Sequence, residues 1–221
     1  GTVHTCIGQE LSGAGISKFL NENDFVFSNH RCHGHYISFT KKYKNLIDEL
    51  MGKESGVCGG IGGSQHIASD NFFSNGPQGS LAPVAVGVAE GLKRKKNNSV
   101  AVCFIGDGTM GEGIIYESMN LMSLYKLPMI LVCENNMYAQ STSIKSNLSG
   151  DINLRASSFG IKAWWRPYLT SIQLIQFCLI AYQNIYAYSL GPTCGSPDFT
   201  KIIMLFYMAS MLILFSGFFI R

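Results

Sequence analysis

The chain has 221 residues, 47% hydrophobic and 14% charged, with a formal net charge of +3. A chain this apolar, with 24 Gly, argues against disorder and an extended coiled coil, and its small charge gives no case for nucleic acid. Seven cysteines, widely spaced and without a CxxC, argue against a disulfide framework and a structural zinc site.

The first residue is Gly, so the chain reads as a fragment or a processed product, with no signal peptide at its start. Residues 2–15 read as a Gly-rich turn and the start of a helix. Residues 24–28 (DFVFS) read as a short buried strand, and 29–35 as a polar, His-rich stretch. Tyr43, Leu46, Ile47, Leu50 and Met51 fall at helical spacing and predict a short amphipathic helix. Six glycines in 52–63 predict loop. Ser80 reads as the cap of a small-residue helix over 81–96, whose basic KRKK end suits a helix C-terminus.

The next stretch carries the chemistry. Residues 99–105 (SVAVCFI) predict a central parallel strand ending at Gly106-Asp107-Gly108. Residues 111–125 predict a helix, and PMILVC at 128–133 a second strand ending at Glu134-Asn135-Asn136. Strand, crossover helix and strand make a right-handed βαβ unit. Ligands in open α/β sheets bind at the carboxyl ends of strands, so Asp107 and Asn136 share one rim although 29 positions separate them. A carboxylate and an amide oxygen converging there suit a hard divalent ion such as Mg2+. The glycines beside Asp107 permit a sharp turn and offer amides to a diphosphate.

The composition then changes. Residues 1–166 hold 28 charged side chains, and 167–221 hold three: Asp198, Lys201 and Arg221. Ile202 to Ile220 is an uncharged, mostly apolar run of 19 residues between Lys201 and Arg221, which meets the length criterion for a membrane span. An aberrant or divergent tail, a real membrane anchor and an ordinary buried segment all stay open. The domain division expected is 1–162 and 163–221, with a possible transmembrane segment at 202–220.

Over residues 1–162 the sequence resembles the α subunits of thiamine-diphosphate-dependent 2-oxo acid dehydrogenase first components (E1), including the acetoin dehydrogenase type. The family's diphosphate fingerprint, GDG followed by NN, reads here GDGTMGEGIIYESMNLMSLYKLPMILVCENNMY at 106–138. CIGQE at 6–10, HRCHGH at 30–35, MGKESGVCGGIGGSQHI at 51–67 and GPQGSLAPVAVGVA at 76–89 extend the match.

The resemblance implies an α/β, mostly parallel sheet flanked by helices, the thiamine-diphosphate-binding fold, altered or truncated at the C-terminus. It implies Mg2+ held by Asp107, Asn136 and the main-chain oxygen of Tyr138. Gly106, Gly108 and Thr109 would receive the diphosphate, with Arg31 adding a charged hydrogen bond and His30 lying beside it. Gly76 and Gln78 would meet the aminopyrimidine, and His33 would be the catalytic histidine near the reactive ring. His30 stands where the family usually has Tyr, and Gln78 where an aliphatic residue is common. No His follows residue 66, so the family's late His-containing loop has no counterpart.

The activity implied is decarboxylation of a 2-oxo acid, or cleavage of acetoin, with transfer of the acyl unit to lipoyl. The partners implied are a β subunit in an α2β2 assembly, which contributes a Glu to the cofactor, and a lipoyl-bearing acyltransferase. The compartment implied is the cytoplasm, or the mitochondrial matrix or plastid. An inactive truncated or frame-altered product and a membrane-anchored protein remain alternatives. His4 reads as a surface or local hydrogen-bonding residue, His35 as a supporting one, and His66 as either structural or substrate-facing.

Overall fold

A computed structural model describes residues 4–96 and 98–162, together with 182, 185 and 186. The chain divides into two units, Gly1–Lys162 and Ala163–Arg221. The elements of the first unit, in chain order, are α1 (Glu10–Ser17), β1 (Phe25–Ser28), α2 (His33–Thr40), α3 (Tyr43–Leu50), β2 (Ala68–Ser69) and β3 (Phe72–Ser74). Then come α4 (Leu81–Arg94), β4 (Ala101–Gly106), a 3-10 turn (Asp107–Gly111), α5 (Gly113–Leu124), β5 (Met129–Glu134), β6 (Tyr138–Ala139), β7 (Thr142–Ser143), α6 (Ile144–Asn147) and α7 (Ile152–Ser158).

The strands order as β2-β3-β1-β4-β5, with β6 and β7 forming a separate hairpin. Within the five-stranded sheet β3, β1, β4 and β5 run parallel and β2 is antiparallel; β6 and β7 pair antiparallel. Both faces of the sheet are covered, and strand alternation sorts the core into two layers. Phe27 of β1 with Ala101, Cys103 and Ile105 of β4 pack on one face, against Ala85 and Ala89 of α4 and Ile115 and Met119 of α5. Val26, Val102 and Phe104 point the other way, against Tyr36 of α2 and Leu46 of α3. Residues 101–105 of β4 are all buried, the reason this run reads as continuously apolar. Burial of each large aliphatic or aromatic side chain here contributes about 1.5–3 kcal/mol.

The expected strands at 24–28, 99–105 and 128–133 and helices at 43–51 and 81–96 all form, within two residues at each end. Three details differ. The polar stretch at 29–35 turns into α2 at His33, because His35 and Tyr36 are buried one turn in. The helix expected from 111 begins at Gly113, since Asp107–Gly111 first closes a 3-10 turn. Ser80 sits at the N-cap of α4 but makes no capping bond; its hydroxyl donates to Pro77 O and accepts from Asn75. Small residues in α4 serve the sheet side, where Ala85 and Ala89 are fully buried, whereas Gly87 and Gly91 face open space.

Among the described residues no helix is long and apolar enough to cross a membrane. The run at 202–220 lies outside the described residues.

Candidate active site at the carboxyl ends of β4 and β5

Gly106, the last residue of β4, pairs with Glu134, the last residue of β5. Both strands deliver the chain to the same rim, so Asp107 and Asn136 emerge side by side. Asp107 is only 2% exposed. Burial pushes its carboxyl above the usual range, against the backbone N–H groups of Asn136 and Gly108, which favour the charged form. Its Oδ2 is buried with no hydrogen-bond partner. A buried carboxylate oxygen left unpaired is costly unless a proton or a cation completes it. Asn136 is exposed, and its Oδ1 accepts the N–H of Tyr138 at 3.0 Å, which folds the chain back at the rim. A carboxamide oxygen with one bond retains a lone pair for a metal. These donors fit a hard divalent ion with additional oxygen ligands.

Gly108 also has a packing reason to lack a side chain. A Cβ on Gly108 would lie 2.5 Å from Ala139 Cβ, so β6 packs directly on that α-carbon. Asn147 of α6 donates to Gly108 O at 3.1 Å. Gly108 therefore lets the β6–β7 hairpin close over the turn, while its N–H is aimed at Asp107. The Tyr138 side chain is exposed, pairing through its backbone with Ser143.

A second group of expected residues meets through Gln78. Its Oε1 accepts from Thr109 Oγ1 at 2.6 Å, and its Nε2 donates to His30 Nδ1 at 2.7 Å. The carboxamide thereby ties the histidine segment to the GDG turn. An aliphatic residue could not make that tie. A ring nitrogen that accepts must be unprotonated. Burial, then His4 and Arg31, lower the pKa of His30 to about 4. His4 is not isolated on the surface; its ring lies edge-on to His30 at 4.5 Å.

A narrow cleft bounded by Asn29, Gly76, Gln78, Phe104 and Thr109 opens beside this group. A Cβ on Gly76 would lie 2.4 Å from Gln65 Oε1, so the GGSQH segment presses against it. His33 stands apart from the Gln78 group, with Nε2 2.8 Å from the carbonyl of Ser64. The Arg31 guanidinium donates to Thr5 O, and its backbone N–H to Asn29 Oδ1 at 2.8 Å.

Two buried carboxylates were not among the expected site residues. Glu134 accepts from Ser12 of α1 at 2.5 Å, from His35 at 3.0 Å and from Asn29 at 3.2 Å. Burial raises its pKa, and these partners more than reverse that, leaving it below the usual value. His35 also meets Ser28 at 2.8 Å and stacks on Phe104. Glu49 accepts four loop amides. The available signals were a carboxylate closing an apolar strand, and one closing a helix just before a glycine run whose amides need acceptors.

A mostly parallel sheet covered on both faces, with an acid and an amide meeting where two adjacent strands end, defines an α/β protein with a candidate ligand site on its carboxyl rim. The model of the family described as "Dehydrogenase E1 component" matches residues 1–164, and the chain belongs to that family. It is 40% identical over 165 residues to the α subunit of acetoin:2,6-dichlorophenolindophenol oxidoreductase of Cupriavidus necator, covering 73% of this chain and 50% of that one. It is 34% identical over 168 residues to the pyruvate dehydrogenase E1 component subunit α of Rhizobium meliloti, covering 74% and 48%. The rat mitochondrial testis-specific pyruvate dehydrogenase E1 α subunit is 35% identical over 146 residues, covering 66% and 37%. The chain thus spans about half the length, or less, of these relatives. A second model, described as the GNS1/SUR4 family, matches residues 154–221. The two matches overlap at residues 154–164, just before the charged residues thin out after Arg166.

Proposed function

We propose that this chain is an α-type subunit of a thiamine-diphosphate-dependent E1 component. It would act on a small 2-oxo acid or acetoin and pass the acyl unit to the lipoyl group of an acyltransferase. The observation that carries this reading is the buried, unpaired Oδ2 of Asp107 beside the amide of Asn136.

Mg2+ would be held by Asp107, Asn136 and the main-chain oxygen of Tyr138. When bound, thiamine diphosphate supplies the nucleophilic carbon and the electron sink that decarboxylation needs. This chain's residues bind and orient. Gly106, Gly108 and Thr109 form the turn that faces the diphosphate, and Arg31 offers it a fork of N–H donors. Gln78, held at both ends, stiffens the wall formed by His30, Thr109 and Gly76. His33 holds a proton on Nε2, because a carbonyl can only accept, and so presents Nδ1 as its basic nitrogen. That suits proton transfer near the reacting carbon. A β subunit would complete the site in an α2β2 assembly. A 2-oxo acid would lose carbon dioxide and acetoin would lose acetaldehyde; in either case the two-electron oxidation of the remaining unit to the thioester level would be matched by reduction of the lipoyl disulfide.

Isothermal titration of the full chain with thiamine diphosphate, with and without Mg2+, tests this reading. Binding should require Mg2+ and disappear in Asp107→Ala. Equal binding by that variant would overturn the metal assignment.

A further inference from the structure

The run from Gly52 to Gly63 has many backbone N–H groups and few side chains to pair them. Glu49, on the last turn of α3, is 1% exposed and reaches into it. Its Oε2 accepts from Cys58 N at 2.6 Å and Gly60 N at 2.9 Å. Its Oε1 accepts from Gly62 N at 2.7 Å and Gly63 N at 3.1 Å. Converging amides of this kind form a concavity for an anion; here the anion belongs to the protein. Gly60 and Gly63 have φ of 78° and 62°, the left-handed backbone that turns alternate amides inward. Burial opposes the charge on Glu49, and the four amides more than offset it, holding its carboxyl below the usual range. Asp48, its neighbour, anchors the start of the same loop through Lys53 and Ser55, each at 3.0 Å.

The far end of the loop is held as well. Ser74 Oγ donates to Gln65 O at 2.8 Å and accepts from Ile67 N at 3.1 Å. Ser64 lies between the two anchors, and its carbonyl is the acceptor for His33 Nε2. We propose that Glu49 is a positioning residue: by seating the amides of residues 58–63 it fixes the Ser64 carbonyl, and through it the orientation and tautomer of His33. The inference deepens the role given to His33 and rests on that reading for its catalytic meaning, but its geometry stands without the cofactor.

The test uses the full chain and two readouts independent of activity. One is the tautomer of neutral His33, read from its imidazole nitrogen-15 shifts. The other is amide hydrogen exchange at Cys58, Gly60, Gly62 and Gly63. The wild-type ring should be the Nε2–H form with protected loop amides. Glu49→Gln retains one acceptor oxygen and should lose protection at two or more of these amides by about tenfold or more. His33 should become a mixture of tautomers. The β4 amides of Val102 and Cys103 should keep their protection, which separates a local effect from unfolding. If Glu49→Gln does not fold, Glu49→Asp, which keeps the charge but withdraws both oxygens, is read instead and should show the same changes. An unchanged single tautomer with unchanged loop protection, or an Nδ1–H ring in the wild type, would overturn the proposal. Failure of the cofactor reading shows itself separately, as absent Mg2+-dependent thiamine diphosphate binding.

Discussion

Gly108→Ala probes the closest backbone approach at the rim. The added methyl would sit 2.5 Å from Ala139 Cβ and 3.4 Å from Ala139 Cα. Carbon atoms rest at about 3.5–4.0 Å, so the hairpin must retreat by roughly 1 Å. Gly108 has no left-handed φ, so Ala meets no backbone penalty there and the cost is steric. β4 is buried along its length and resists that movement; β6 and β7 have two residues each and give first. Overpacking of this kind costs about 1–3 kcal/mol. Retreat also carries Tyr138 away from the turn, so Mg2+-dependent binding should weaken along with stability. Ala139→Gly removes the closer contact and leaves only the one at 3.4 Å. The double variant Gly108→Ala/Ala139→Gly should therefore recover most of the loss, a coupling that a double-mutant cycle measures directly. Urea unfolding of the wild type, the two single variants and the double variant, with the m-value checked for constancy, is the assay. A neutral Gly108→Ala, or additive effects of the two substitutions, would refute the packing argument.

His30 should titrate with a midpoint of about 4 against an ordinary 6.5, as followed by proton NMR of its ring. A base whose folded value is depressed contributes stability that is complete above the unfolded value; the fold should weaken as pH falls from 6.5 through about 4. His4→Ala removes one cause of the depression and should move the midpoint up; a midpoint near 6.5 in the wild type would contradict the burial of His30 beside His4 and Arg31. Ser12→Ala takes a donor from the buried Glu134 and should cost about 1–2 kcal/mol, read as a lower urea midpoint. No change there would mean that α1 is not tied to β5 through this carboxylate.

Residues 99–105 and 128–133 read as strands because each is a short, nearly continuous apolar run rich in β-branched residues and bounded by turn signals, and β4, buried from 101 to 105, shows why. The GDG and NN motifs then fell at the rim by connectivity alone, since adjacent parallel strands must end on the same side. What lay outside the sequence was the use of each polar group. Gln78 looked out of place until Thr109 and His30 were seen at its two ends. Gly108 looked like a phosphate-facing glycine, and its missing side chain makes room for Ala139. The sequence reading singled out only the apolar positions of the helix at 43–51, and Glu49 beside them takes its role from loop amides 9 to 14 residues further on.

The primary structure by itself determined which segments become strands and helices and where a charged ligand could approach, because those follow from local periodicity and chain order. Only the tertiary structure decided which buried carboxylate is left unpaired, which is surrounded by amides and which nitrogen of His33 bears a proton. Those depend on atoms brought within about 3 Å from distant parts of the chain. Ser12 and Glu134 are 122 residues apart, and no local pattern encodes their contact.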